Sequence, residues 1–383
     1  MRTVLISGGG IAGAALALLL RRRGFAPTVV ERAPEVRPGG QAVDIRGVAL
    51  DVVDRMGLLA EAWELRTRIR GMSVLAADGT EIERSTDYAL SSGRLDGDDI
   101  EVLREDLVRL LYRHTRDDVE YLFGDTITAL EEHEDGVRAH FAHGPSRDAD
   151  VVVGADGQHS AVRRLAFGPA EDVTHHLGSY LSVFSADNFL GLDNWQLWLR
   201  DGDAGFGIMP VRDNSELRVA FGFRSAKLDG DHRDVEWLRR LTADRLSGLR
   251  WEAGRLTKAA LEAPDFHCDS MAQIRMDHWS RGRTVLLGDA GYCASPFSGQ
   301  GTGLALVGAY VLAEELAGGG HASAFARYTS RMRPFVELNQ ALATENPDGP
   351  PSEASLTRAK NALTLDGCAP VRTAAYGRSR PTG

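Results

Sequence analysis

Residues Arg283 to Leu316 read RTVLLGDAGYCASPFSGQGTGLALVGAYVLAEEL. A short apolar run, Thr284 to Leu287, stops at Gly288-Asp289. A loop rich in Gly, Ser and Pro follows, and an apolar segment of helical length opens near Gly301-Thr302-Gly303. Strand, acidic turn, glycine loop and buried helix in that order bring bare backbone N–H groups up to a ligand, because the first N–H groups of a helix have no partner inside it. Asp289 adds a second clue, since a carboxylate accepts hydrogen bonds from sugar or polyol hydroxyls and repels a phosphate. An ordinary strand–helix connection would share the pattern, so the remainder of the chain decides.

Residues 2 to 31 supply the partner motif. Thr3 to Ile6 is a buried strand, Gly8-Gly9-Gly10-Ile11-Ala12-Gly13 a turn, Ala14 to Arg23 a helix closed by Gly24, and Pro27 to Glu31 a second strand. Gly8, Gly10 and Gly13 fit G-x-G-x-x-G: the first allows the tight turn, the second admits a pyrophosphate, and the third lets helix pack on strand. Glu31 lies close to the ~20 residues beyond the last glycine at which a ribose-binding carboxylate is expected. Strand, turn, helix and acid together predict dinucleotide binding.

Composition narrows the rest. The chain has 383 residues, 43% hydrophobic and 26% charged, enough for two or three domains with ample core. A net charge of −10 argues against a nucleic-acid surface. Of the 44 basic residues only Lys227, Lys258 and Lys360 are lysines, so cationic contacts fall to arginine, whose planar fork suits anions. Cys268, Cys293 and Cys368 have neither metal-ligand nor disulfide spacing, and no metal site is expected. The apolar run Ile11 to Leu20 precedes Arg21-Arg22-Arg23 instead of following it, so it is not a secretory signal, and no run is long enough to span a membrane. A cytoplasmic protein without stable membrane association is expected.

Along the chain, Ile100 to His114 reads as one amphipathic helix. The segments Met72 to Leu75 and Glu81 to Arg84 flank the hairpin turn Asp78-Gly79. Residues 176 to 275 are rich in strands, with one helix over Val235 to Leu246. A long helix follows Gly318-Gly319-Gly320, and a short one falls near Ser352 to Leu365.

Three segments, Gly8 to Gly13 with Glu31, Asp150 to Arg163 (DVVVGADGQHSAVR) and Gly288-Asp289 through Gly303, together resemble the single-component FAD-dependent aromatic hydroxylases. This is the para-hydroxybenzoate hydroxylase-like family, which includes tetracycline-inactivating monooxygenases. The resemblance covers about residues 1 to 340. It implies an α/β fold: a three-layer, Rossmann-like FAD-binding domain, an inserted, mainly antiparallel β-sheet substrate domain, and a C-terminal helix. The FAD-binding domain would take residues 1–69, 99–172 and 275–318, and the substrate domain 70–98 and 173–274. Residues 319–345 would form the C-terminal helix and 346–383 a tail.

The same resemblance assigns the site. Gly8, Gly10, Ala12 and Gly13 would hold FAD, with Glu31 on the AMP ribose and Arg32 beside the adenine. Arg104 would approach the pyrophosphate or ribityl chain, Asp44 the flavin, and Gly288 and Asp289 the ribityl region, while Pro296, Gly299, Gly301 and Gly303 would pass the ring. Asp156 is read two ways, as an FAD contact or as a cap for the helix near Ser160 paired with Arg163. Arg37 and Arg163 are the candidates for NADH or NADPH, a transient co-substrate. Gln196, Phe206, Met209, Arg212 and Phe221 are the candidates for a substrate wall.

The implied reaction is hydroxylation of a planar aromatic or polycyclic molecule by O₂ through a flavin C4a-hydroperoxide, in a monomer or homodimer. No side chain is singled out as a general base. A flavin dehydrogenase or reductase that does not use O₂, and a non-catalytic flavin- or ligand-binding protein, stay open. A flavin halogenase is disfavoured: Trp195-Gln-Leu-Trp198 has the wrong spacing for its motif, and no lysine precedes Lys227.

Overall fold

The structure is a computed structural model that describes residues 2–231, 233–346 and 349–365; Cys368 and the end of the tail lie outside the described residues. The apolar strands Thr3–Ser7, Ala26–Glu31 and Val151–Gly154 are buried on both faces and pair in parallel. Glu120–Phe123 extends the sheet on one side and Thr284–Leu286, then Ser280–Arg281, on the other, giving six strands. Helices Ile11–Arg22, Arg104–Arg113 and Gly301–Ala317 cover one face, and a three-stranded sheet (Ile127–Glu132, Val137–Phe141, Arg147–Ala149) covers the other. The fold is therefore the three-layer arrangement expected. Gly301–Ala317 is apolar on nearly every side because helices Ile11–Arg22, Val48–Arg55 and His321–Glu345 surround it.

A second sheet runs in the order His267–Ile274, Thr174–Asp187, Glu216–Arg224, Ala204–Val211, Trp195–Asp201, Gly71–Leu75, Glu81–Ser85. All its pairings are antiparallel except Trp195–Asp201 with Gly71–Leu75. Side chains alternate across it. Leu217, Val219, Phe221 and Phe223 face helices Val235–Ser247 and Ala253–Glu262 and form a separate core. The opposite face, with Gln196, Trp198, Gly207, Met209 and Arg218, turns toward the first domain.

One element differs from the sequence reading. Ile100 to His114 is not a single helix: Ile100–Leu103 is a strand paired antiparallel with Ala42–Ile45, and the helix begins at Arg104. The helix Ala253–Glu262 was not anticipated. Among the described residues no helix is long and apolar enough to cross a membrane, and no group of His, Cys, Asp and Glu could hold a metal ion.

Candidate functional site

One cleft of about 2390 Å³ starts at Gly8–Ala12 and Glu31, passes Arg104, Asp289 and the loop Ser295–Gly299, and opens onto the inner face of the second sheet at Gln196, Trp198 and Met209. A single drug-sized ligand fills ~300–1,000 Å³. The excess length suits a dinucleotide and a second molecule laid end to end.

The first third is built by the glycine turn. Gly8 takes φ +105°, and a methyl there would run into the Ala155 carbonyl. A methyl on Gly13 would overlap the Gly8 carbonyl oxygen, so this glycine serves helix–strand packing and does not border the cleft. Gly10 is different. Its backbone is ordinary (φ −73°, ψ −170°), and the nearest protein atom to an added Cβ is Arg104 Nη2 at 4.0 Å. Nothing among the described residues requires glycine here; the bareness faces the cleft. Glu31 accepts from Gly9 N (2.7 Å) and Ala33 N (2.9 Å), which fixes its carboxylate at the mouth of the turn. Arg32 is exposed on the cleft wall beside it.

Arg104 begins its helix and points back over the turn. Burial and then Arg37 push its pKa down to about 9, with Glu31 and Asp289 pulling the other way; it stays cationic at neutral pH. Its Nη1 is buried with no hydrogen-bond partner. A buried guanidinium nitrogen facing an open cleft beside a helix N-terminus fits an anion. Gly40 φ is +99°, and a side chain there would strike Arg104 Cδ at 2.9 Å.

Asp289 follows Gly288 (φ +63°), whose added Cβ would meet Ala12 at 3.2 Å. The Asp289 side chain lies deep in the molecule yet is exposed to the cleft. Burial raises its pKa, opposed by the Cys293 hydrogen bond and Arg104. Beyond it Pro296, Phe297 and Gly299 are exposed to the cleft, and Ser295 Oγ and Gln300 Nε2 are buried without partners. The first-turn N–H groups of Gly301–Ala317 end at this loop. A hydroxyl-accepting carboxylate, unpartnered donors and a bare helix end in sequence fit the ribityl chain and ring of a flavin.

The middle motif resolves toward its structural role. Asp156 accepts from Ala161 N (2.8 Å), Val162 N (3.2 Å) and the Ser160 hydroxyl, so it caps the helix Ala161–Phe167 while bordering the cleft. Arg163 is 1% exposed and donates to Ala290 O (2.8 Å) and Gln158 O (2.6 Å). It is a buried tie between loops, which corrects its assignment to a nicotinamide nucleotide. Arg37 does face the cleft, near Asp269 and Arg32, and burial lowers its pKa. His267 is pushed down to about 4 by burial and by Arg37, so it is neutral at pH 7; His159 instead bonds Asp269 at 2.9 Å.

On the sheet, Gln196 is 1% exposed and fully engaged, donating to Ser91 Oγ (2.6 Å) and accepting from Trp198 Nε1 (3.0 Å). Trp198 lies across Gly207, its cross-strand neighbour, where a methyl would come 2.7 Å from the ring. Glycine thus lets the indole lie along the sheet as a flat wall, which the sequence reading missed. Met209 borders the cleft as expected. Phe206 is among the residues bordering the cleft, with its ring stacked on Trp251 (5.6 Å) in the helix-covered core. Two expected wall residues are corrected. Phe221 is fully buried on the helix-covered face. Arg212 is ion-paired to Asp106 (2.7 Å) and Glu105, tying the sheet to the helix Arg104–Arg113.

Also missed were Arg46 and Glu101. Arg46 pairs with Asp44 at 2.9 Å and places Nη1 3.7 Å from where a Gly299 Cβ would sit, so Asp44 and Arg46 flank the exposed loop. Burial raises Asp44 to about 8 against the pull of Arg46. The spacing Asp44-x-Arg46 at the end of a strand was the available signal: two opposite charges two residues apart, where extended backbone puts side chains on one side.

The FAD binding domain family matches residues 1–342. An uncharacterized protein of Mycobacterium tuberculosis (strain ATCC 25618 / H37Rv) is 48% identical over 354 residues, covering 92% of this chain and 95% of its own. A flavin-dependent monooxygenase of Legionella longbeachae serogroup 1 (strain NSW150) is 38% identical over 339 residues, covering 88% and 86%. The crystal structure of tetracycline destructase Tet(51) superposes with a TM-score of 0.88 at 33% identity, covering 96% of this chain and 100% of that one.

Proposed function

The chain belongs to the FAD binding domain family and is a flavin-dependent monooxygenase; on that premise we propose that it hydroxylates a planar aromatic or polycyclic small molecule, using O₂ and a reduced nicotinamide nucleotide. The observation that carries the reading is the continuity of the cleft: the glycine turn, the bare helix end and the Trp198 wall share one space. The resemblance to a tetracycline destructase over nearly the whole chain supports a substrate of fused rings. The domain limits anticipated from the sequence are proposed on the same footing.

When bound, FAD supplies electron storage and oxygen activation. The chain's own residues then have definable tasks. Arg104 and the helix end after Gly10 would hold the pyrophosphate, Glu31 the ribose, and Asp289 the ribityl hydroxyls. The first N–H groups of Gly301–Ala317 favour negative charge placed at their end, and Gly299 (φ +63°) leaves room for a planar ring. Arg37, a cleft arginine near the glycine turn, is suited to the phosphates of the nicotinamide nucleotide. Leu342 near the end of His321–Glu345 and Leu356 and Lys360 of the segment after it border the cleft and would help keep water out; Lys360 Nζ is anchored to Asp99 at 2.7 Å. A dry chamber matters because activated oxygen that meets water is lost as peroxide.

A panel of polycyclic and phenolic compounds, read by stimulated oxidation of NADH or NADPH with matching O₂ consumption, tests the proposal. Stimulation by fused-ring aromatics is expected. Oxidation of the nicotinamide with no O₂ uptake would replace this reading with a dehydrogenase.

A further inference from the structure

Asp44 and Glu101 stand directly opposite each other on the paired strands Ala42–Ile45 and Ile100–Leu103. The Glu101 carbonyl oxygen is taken by Thr67 N at 2.8 Å, so its backbone groups face away from Asp44. The two residues are therefore a non-hydrogen-bonded pair, with Cα atoms ~4.5 Å apart and side chains on one face. Both are buried, the Asp44 side chain 10% exposed and Glu101 6% exposed. The cation paired with them is Arg46, itself 8% exposed; Lys360 is engaged one step away by Asp99. Two carboxylates facing one guanidinium leave an uncompensated negative charge in a dry place, which a single proton removes.

The hydrogen bonds make the same count. Asp44 Oδ2 takes Arg46, and Glu101 Oε1 takes the Thr67 hydroxyl at 2.7 Å. Asp44 Oδ1 is buried with no partner, while the Ser91 hydroxyl as well as that of Thr67 supports the Glu101 carboxylate. One proton on this facing pair removes the excess charge.

We propose that Asp44 and Glu101 share one proton and that Asp44, the member bordering the cleft, delivers it into the reaction chamber beside Gly299. The role rests on the monooxygenase reading; the shared proton does not. The overall reaction needs it: substrate, O₂, reduced nicotinamide and one proton give hydroxylated substrate, water and oxidised nicotinamide. The nicotinamide gives up a hydride, one oxygen atom enters the substrate, the other leaves as water, and the proton ends in that water. The groups around the pair are Arg46 just after the Asp44 strand, Asp99 just before the Glu101 strand, Tyr88 beside Arg46, and Lys360 behind Asp99. Burial raises both carboxyls, Asp44 to about 8, so the proton is present at neutral pH.

Difference infrared spectroscopy of the FAD-loaded full chain, titrated from neutral to alkaline pH, tests the pair. The wild type is expected to show a deuterium-sensitive carboxylic-acid carbonyl band that disappears near pH 8. Asp44→Asn should lack the band, and Glu101→Gln should move its loss toward ordinary carboxylate pH. Absence of any such band in the wild type, or its survival in both variants, overturns the shared proton. With a substrate identified, Asp44→Asn should form product on the order of 10²-fold more slowly. Its rate should also no longer fall as pH rises past 8. Band loss with an unchanged product rate and pH profile overturns the delivery role. The infrared measurement needs no substrate, so failure of the monooxygenase reading would show separately, as no oxygenated product from any compound.

Discussion

Replacing Gly10 and Gly13 separately by alanine divides ligand binding from folding within one motif. Gly10 has extended backbone that any residue adopts, and its new methyl would meet no protein atom closer than Arg104 Nη2 at 4.0 Å. Folding of the FAD-free protein should change by no more than ~0.5 kcal/mol, a shift of at most ~2 °C in Tm. The methyl would occupy the space between the helix end and Arg104, where the pyrophosphate is placed. Losing one charge-assisted hydrogen bond there, at ~1.5–3 kcal/mol, weakens FAD binding ~10- to 150-fold. Gly13→Ala is the opposite case. Its methyl overlaps the Gly8 carbonyl oxygen, forcing the helix Ile11–Arg22 off its strand at ~1–3 kcal/mol or more. That should lower Tm by several degrees even without FAD. Flavin fluorescence titration of the apoprotein, paired with its thermal melt, reads both effects. Wild-type FAD affinity in Gly10→Ala, or equal destabilisation by the two substitutions, would refute the reasoning.

Asp289→Ala should keep the fold and lose about tenfold or more in FAD affinity by equilibrium dialysis, since a raised, cleft-facing carboxyl is removed; unchanged flavin content contradicts the ribityl assignment. Asp44 sets a pH dependence of stability. Its folded pKa of about 8 lies above the unfolded ~3.9, so the folded chain alone holds the proton between them, and stability falls as pH rises by at most ~1.4 kcal/mol per unit. Asp44→Asn should flatten that slope in thermal melts, and an identical slope in the variant would count against the burial argument. Arg218→Ala leaves Asp265, Glu216 and Glu105 facing a buried gap and should cost ~3–5 kcal/mol in denaturant unfolding, whereas the more exposed Arg212→Ala should cost ~1 kcal/mol. Equal costs would mean that burial does not govern this junction.

What the sequence made legible follows from how local each signal is. Gly8, Gly10, Gly13 and Glu31 occupy one βαβ unit at fixed spacing, so the dinucleotide end was legible in the sequence, although the clash that keeps Gly8 bare is with Ala155, outside that unit. Asp289 and the helix after Gly301 were legible for the same reason. Ile100 to Leu103 was misread because apolar residues ahead of an amphipathic helix look like its first turn; its partner, Ala42–Ile45, lies far away in sequence. The wall residues failed on a different point. Alternation along Glu216–Arg224 separates two faces but does not say which one the helices cover, and here Phe221 is on the covered face and Arg218 on the cleft face. Arg163 looked like a ligand-binding cation because sequence does not show the carbonyls of Ala290 and Gln158 that surround it. Glu101 was hidden inside the misread helix, and with it the pair it forms with Asp44.

The most direct test of monooxygenation is the source of the oxygen in the product. Purified FAD-loaded protein, given NADH or NADPH and a fused-ring aromatic that stimulates its oxidation, should be run under isotopically heavy O₂ and the product weighed by mass spectrometry. One heavy oxygen atom in the product is expected. Nicotinamide oxidation with an unaltered ligand, or with oxygen drawn from water, would contradict it.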